Sequence, residues 1–296
     1  MKGVNWRKPA TLLLTVAITA YLLHKVYAEA SRVNLSASSL LSPYFLTAIL
    51  TGFVAYLLYT ALWYVYVHHA SGVSFRRTLL ATLTGTYLGF SLNTAVGVLV
   101  KVKLLGTDYW YTMGVGLLAI ATEFLAGLLL ITVVGKNVVA LVLAGAILTA
   151  MVFDRVAYYT LYPVFRALKK LETLERMYSG WHRARGNTRT VLLAVSVGIL
   201  LTLANATTLY LTAKTFGVGA GYLKFLEAII YSNFLGGVLG TPGGIGANEL
   251  GVTLAIGDSP TAIVVAFLYK FITQYAYAIV GAVAFYRLVA GEVKAN

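Results

Sequence analysis

The sequence contains no cysteine. That removes disulfides, thiolate catalysis and cysteine-based zinc or iron–sulfur sites, and it leaves the compartment open. Charge is also scarce. Only 11% of the 296 residues are Asp, Glu, Lys or Arg, against 59% hydrophobic, where a soluble globular protein carries about 25% charged residues. Acids are rarer than bases, and the net charge is +13. In a soluble chain that excess would suggest nucleic acid, but no basic domain with exposed aromatics supports such a partner. The basic residues sit in short loops between apolar runs, so membrane orientation and anionic headgroups explain them more simply. HExxH, GxSxG, P-loop and paired-carboxylate motifs are all missing. The sequence therefore predicts a protein that is not an enzyme, with no cofactor, no bound metal and no direct use of ATP.

What is present is apolar length. A spanning helix needs about 20 apolar residues, and the stretches near 10–28, 44–67, 110–133, 137–161, 191–213 and 260–288 meet that need. The fold class expected is an all-α integral membrane protein of about six spanning helices, forming one transmembrane domain over 1–296. The first stretch has a rival reading as a signal peptide, since Lys2, Arg7 and Lys8 precede it and Ala28-Glu29-Ala30 could be cleaved. An uncleaved first helix is preferred, because the stretch stays mostly apolar to Ala28. Residues 163–190 form the sizeable polar segment, with Arg166, Lys169, Lys170, Arg176, Arg183, Arg185 and Arg189. Leu168, Leu171, Leu174 and Met177 recur at steps of three, which predicts a basic amphipathic linker on the cytoplasmic surface.

Two further apolar stretches, 78–105 and 222–257, are interrupted. The bases at the N-terminus, at Arg76-Arg77 and in the 163–190 linker can all be cytoplasmic only if 78–105 enters and leaves on one side. The same count puts both ends of 222–257 outside and both termini inside, in the cell membrane. Helix, broken segment, helix over 44–133 is then repeated in opposite orientation over 191–288. Such inverted repeats with discontinuous helices are a transporter design. Topology carries this reading, since Tyr87-x-x-Phe90 against Tyr231-x-x-Phe234 is meagre similarity.

The second broken segment runs Gly236-Gly237-Val238-Leu239-Gly240-Thr241-Pro242-Gly243-Gly244-Ile245-Gly246. No regular helix tolerates that density of glycine and proline. Unwound backbone at membrane depth must be buried or line a watery cavity, and the helix restarting after it would aim its free N–H groups there. Such an end can hold an anion, for example a lipid phosphate; the bland reading is a tight hinge with no ligand. In the first broken segment Asn93, Thr94 and Gly97 suit the turn. Lys101 and Lys103 either snorkel to the interface or line a cavity that attracts phosphate.

Charges inside apolar runs cost at least ~2.5–3.5 kcal/mol on insertion scales, so each needs a partner or a water path. Glu123 and Lys270 lie deepest. Glu249 and Lys270 form either an internal ion pair or a ligand set for a zwitterionic headgroup. Asp154 and Arg155 read as a local pair, and Glu227 as a surface acid beside Lys224. Gly114-x-Gly116 reads as helix packing. His68-His69 lacks a third metal ligand nearby.

Pro242-Gly-Gly-Ile-Gly-x-x-Glu249 resembles the Pro-Gly-Gly-Leu-Gly-x-x-Glu motif of the lysylphosphatidylglycerol synthase transmembrane-domain family, which includes the flippase half of multiple-peptide-resistance proteins. Ala266-Phe-Leu-Tyr269-Lys270 is similar to that family's Ala-x-Leu-Tyr-Arg, and Gly97-x-x-x-Lys101-x-Lys103-Leu104 to its glycine followed by Arg-x-Arg-Leu. Glu123 falls where the family commonly has an acid. The resemblance covers about 75–296. Lysine replaces the family's arginine at three positions, keeping the charge and losing the bidentate fork. The soluble aminoacyl-transferase domain of the full-length synthases is absent from the sequence.

The resemblance implies a lipid flippase that moves a charged or lipid-linked headgroup through a polar cavity. It implies that Lys101, Lys103 and Lys270 attract phosphate, and that Glu123 and Glu249 balance them or pair with a cationic headgroup. Asn93 joins this substrate-binding set, while Gly97, Pro242, Gly243, Gly244 and Gly246 shape the broken helices. The partners expected are membrane lipids, with a homodimer left open. Two other classes compete: an accessory membrane subunit for a glycosyltransferase using lipid-linked sugars, and a secondary transporter of a small anion.

Overall fold

The computed structural model describes residues 37–106, 108–239, 247–257 and 259–289, together with positions 16, 20 and 24. Apart from those three positions the first expected span, 10–28, lies outside the described residues, as does the glycine run at 240–246 with Pro242, Gly243, Gly244 and Gly246. Among the described residues the protein is all-helical. After a single turn, Ala37–Leu40, come α1 (Pro43–Ser71), α2 (Phe75–Ser91), α3 (Thr94–Leu105) and α4 (Tyr109–Gly135). Next are α5 (Val138–Val152), α6 (Asp154–Ala167) and α7 (Leu171–Arg185). The second half holds α8 (Thr188–Thr215), α9 (Tyr222–Leu239), α10 (Ala247–Ile256) and α11 (Pro260–Lys270), which continues through a π-helical turn, Phe271–Tyr275, into α12 (Ala276–Val289).

Local chemistry starts these helices. Ser42, Asp108, Asn137, Asn187 and Ser259 each accept a hydrogen bond from a first-turn amide with a side-chain oxygen, satisfying a donor that has no partner within its helix. Gly72 ends α1 in the left-handed region, at φ 68°. Among the described residues four helices are long and apolar enough to cross a bilayer: α1, α4, α8 and the run Pro260–Leu288. The protein is therefore an all-α, multi-pass membrane protein.

The expected single span over 137–161 is corrected. The helix stops at Val152 and resumes at Asp154 after a 94° bend. Carried straight on, residues 154–167 would bring Asp154, Arg155, Tyr158, Tyr159, Tyr162, Pro163 and Arg166 into hydrocarbon, and α6 instead leaves α5 at nearly a right angle. The break is held by α7. Arg185 donates to the carbonyl of Val152 at 2.5 Å, and His182 Nδ1 lies 2.5 Å from Asp154 Oδ2. The expected Asp154–Arg155 pair is thus replaced by an Asp154–His182–Arg185 group. Burial alone would raise the Asp154 pKa, but the His182 hydrogen bond and the Arg185 charge outweigh it and hold the carboxyl below its ordinary value.

The amphipathic α7 is fastened to one end of the bundle. Arg176 sits 3.6 Å from Asp108 and Gly186 lies against the His69 ring, while Tyr111 Oη of α4 donates to the carbonyl of Ala70 of α1 at 3.2 Å. The end of α1, the start of α4 and the start of α8 therefore share one basic end. Ser42 donates to Thr215 at 3.4 Å and Thr208 to Thr51 at 3.0 Å, so α1 and α8 lie side by side and antiparallel. These are the first helices of the two expected repeats, and they run in opposite directions.

Each broken segment is a hairpin. Arg77, at the start of α2, donates to the carbonyl of Leu104 near the end of α3 at 3.0 Å, so 75–105 leaves on the side it entered. A Cβ on Gly97 would fall 2.7 Å from Gly89 Cα and into the Gly85 carbonyl. Only glycine permits that approach. In the second hairpin Gly251 of α10 plays the same part, where a Cβ would lie 2.5 Å from Ser232 N of α9. One hydrophobic cluster, with Leu62, Trp63, Val102 and Leu118, supports the first hairpin; another, with Leu209, Phe225, Val252 and Val265, supports the second.

Candidate functional site

The hairpins enclose a cavity of about 510 Å³ between α1, α4, α8 and the π-helical turn, within the ~300–1,000 Å³ typical of ligand pockets. Its first wall is the turn between α2 and α3. Asn93 takes an extended conformation, φ −166° and ψ 144°, and its Oδ1 accepts from Ala95 N at 2.8 Å. Asn93, Thr94 and Ala95 all line the cavity, so the N-terminus of α3 opens onto it. Across from it Gly236 of α9 and Asn248, the second residue of α10, complete the opposite wall. Two helix N-termini, each carrying a partial positive charge, thus approach one space from opposite halves.

Lys101 is 3% exposed and lies on the cavity wall, so it does not snorkel to the interface. Its Nζ donates to Tyr59 Oη at 2.8 Å and rests 3.4 Å from the centre of a Trp63 ring, an arrangement in which ring faces attract the cation. Glu123, from the middle of α4, lines the same cavity, and its charge and that of Lys101 act on each other. Lys103, two residues on, is exposed and outside the cavity, since a helix turns about 200° in two residues.

In the second half Lys270 is 1% exposed and donates to Gln274 Oε1 at 2.7 Å, with the Phe90 ring 5.4 Å away. Gln274 and Phe90 line the cavity, so Lys270 stands directly behind its wall. Glu249, in the first turn of α10, is half-buried, and its charge acts on Lys270. The two halves therefore carry acid–base pairs in reversed order. In the first half the base is on the returning limb of the hairpin and the acid on the next helix; in the second half the acid is on the limb and the base on the next helix.

The π-helical turn after Lys270 accommodates one extra residue, as such turns do at functional sites, and Thr273 and Gln274 both face the cavity. Sequence inspection singled out Asn93, Lys101 and Glu123 of the lining and passed over Tyr59, Asn205, Asn233, Asn248 and Gln274. The available signal was a carboxamide inside an otherwise apolar helix, as at Asn205 and Asn233.

Outside the cavity the remaining candidates have local explanations. Glu227 pairs with Lys224 at 2.7 Å. His68 closes on the Val73 carbonyl at 3.1 Å in the last turn of α1. Gly114 packs on α7 and Gly116 on Trp63. Among the described residues no group of three or more His, Cys, Asp or Glu is placed to hold a metal ion.

The model of one protein family, the lysylphosphatidylglycerol synthase TM region, matches residues 10–281. No curated protein and no solved structure gives a significant match.

Proposed function

The chain belongs to the lysylphosphatidylglycerol synthase TM-region family, and from that premise we propose that it is a transporter of lipids. A charged or lipid-linked headgroup would pass through the cavity between the hairpins while the acyl tails stay in the bilayer. The observation that carries this reading is the meeting of two hairpins, one from each half, on one cavity whose wall holds Lys101, Glu123 and five carboxamides inside an apolar bundle. Lys101 and Lys270 would attract phosphate, and Glu123 and Glu249 would keep those charges tolerable in a poor dielectric. Lys103, exposed at the basic end of the hairpin, would meet headgroups at the membrane surface. In this reading the protein is not an enzyme, resides in the cell membrane with both termini and the α6–α7 linker cytoplasmic, and has lipids as its partners.

The test is reconstitution into vesicles carrying fluorescent phosphatidylglycerol, lysyl-phosphatidylglycerol, phosphatidylethanolamine or a glycosyl lipid in one leaflet. Protein-dependent passage of at least one to the other leaflet is the expected result. Tight retention of a lipid with no passage would replace the transport reading with that of an accessory subunit.

A further inference from the structure

The chain has nine asparagines and a single glutamine. Asn137 and Asn187 cap the N-termini of α5 and α8. Every other carboxamide among the described residues, at Asn93, Asn205, Asn233, Asn248 and Gln274, lines the cavity between the hairpins. They arrive from separate elements: the α2–α3 turn, α8, α9, α10 and the π-helical turn. Asn93 caps α3 and Gln274 accepts from Lys270, but neither capping nor a side-chain partner accounts for Asn205 and Asn233. Asn205 and Asn233 make no side-chain hydrogen bond to another described residue. Both are partly buried on the cavity wall, so their donors and acceptors remain available to a polar group that enters the cavity.

The kind of group follows from what surrounds it. The lysines are already matched within the protein, Lys101 by Tyr59 and Glu123 and Lys270 by Gln274 and Glu249. Two bases against two acids leave no surplus charge to select an ionic terminus. A carboxamide is uncharged and presents two donors beside a two-lone-pair acceptor. That matches a hydroxyl, which also donates and accepts. The cavity adds the rings of Tyr59, Phe124 and Tyr269, flat apolar faces against which the C–H side of a saturated ring can lie. Carboxamides for the rim of a polyhydroxyl ring and aromatic faces for its surface are complementary chemistry.

We infer that the cavity takes an uncharged polyhydroxyl ring, a sugar or a cyclitol, as the group that distinguishes its substrate. This rests on the reading of the cavity as a headgroup path, and narrows it. Phosphate, where the lipid has one, meets the lysines; the ring meets the carboxamides.

The test measures lipid binding by the whole chain in phosphatidylcholine nanodiscs. The probes are phosphatidylinositol, glucosyl diacylglycerol, phosphatidylglycerol and lysyl-phosphatidylglycerol, with free glucose and free inositol as separate arms. Phosphatidylinositol and phosphatidylglycerol share one phosphate charge and differ in ring against glycerol, so charge is held constant between them. The expected result is about tenfold or greater preference for the ring-bearing lipids, the equivalent of one well-placed hydrogen bond. Asn205→Leu and Asn233→Leu should each lower that preference about tenfold. Equal or tighter binding of phosphatidylglycerol or lysyl-phosphatidylglycerol by the unaltered chain overturns the inference and leaves lipid transport standing. Binding of free glucose or inositol as tight as the glycolipid keeps the ring chemistry and overturns the lipid reading. Retention of none of the probes overturns both.

Discussion

Gly114 of α4 and Gly180 of α7 face each other where the two helices cross. A Cβ on Gly180 would stand 2.7 Å from the Tyr111 carbonyl carbon, and one on Gly114 2.7 Å from that of Met177. The basic linker is therefore clamped backbone to backbone on the bundle, and is not free to float on the lipid surface. Its neighbour α6 is the element that leaves Val156, Tyr159 and Val164 exposed.

Gly180→Leu should accordingly break the crossing. Overpacking of this kind costs about 1–3 kcal/mol, and more when backbone is the obstacle. A lower thermal midpoint in detergent, with Trp181 more accessible to quenchers, is the expected outcome. A midpoint unchanged from the parent would show that α7 is not docked as described.

The basic end can be assigned to a side of the membrane directly. The chain has no cysteine, so Ser179→Cys introduces a single thiol on α7. It should react with impermeant reagent only after the cytoplasmic face is opened. Labelling in intact cells would invert the topology.

The Asp154 group should make the linker sensitive to acid. Its pKa is depressed in the folded protein, so the stability it contributes is present above the ordinary aspartate value, near 4, and is lost as pH falls through the lower folded value. Asp154→Asn should remove that acid-dependent loss and weaken the α6–α7 contact at neutral pH by about 1–3 kcal/mol. An unaltered pH dependence, followed by proteolysis between α6 and α7, would remove Asp154 from this role.

Charge and transport should be coupled at Lys270 and Glu249. Removing one of two interacting charges leaves the other uncompensated in a poor dielectric. Lys270→Ala and Glu249→Ala should each impair lipid passage, with the double variant little worse than the worse single, a non-additivity of about 0.5–3 kcal/mol. Lys270→Arg should be tolerated. Parental rates in both folded alanine variants would make these residues structural.

The two broken segments were legible because glycine, proline and asparagine interrupt apolar runs at Asn93 and after Gly236, and because the basic residues admit few arrangements of sides. The bend at Phe153 was not. Val138–Val152 is apolar enough to pass as part of a longer span, and the residues that hold the bend, His182 and Arg185, lie about thirty positions away. The cavity was half legible. Buried charges announce themselves in an apolar stretch, as Lys101, Glu123 and Lys270 did. Asn205, Asn233 and Gln274 cost less to bury and were gathered by the packing of separate helices, which no local pattern records. Lys103 shows the converse: two residues from Lys101 in sequence, it is on another face of the helix.

The reversed order of the acid–base pairs has an electrical consequence. Moving one elementary charge across a membrane potential is worth about 2.3 kcal/mol per 100 mV. Lys101 with Glu123 and Lys270 with Glu249 travel as compensated sets, whichever half of the protein shifts. A lipid with one phosphate would add its own single charge, but with an uncharged glycolipid as cargo neither the empty nor the loaded site would carry net charge through the field. The potential could neither drive such a cycle nor stall it, and the direction of movement would be set by the difference in lipid composition between the two leaflets.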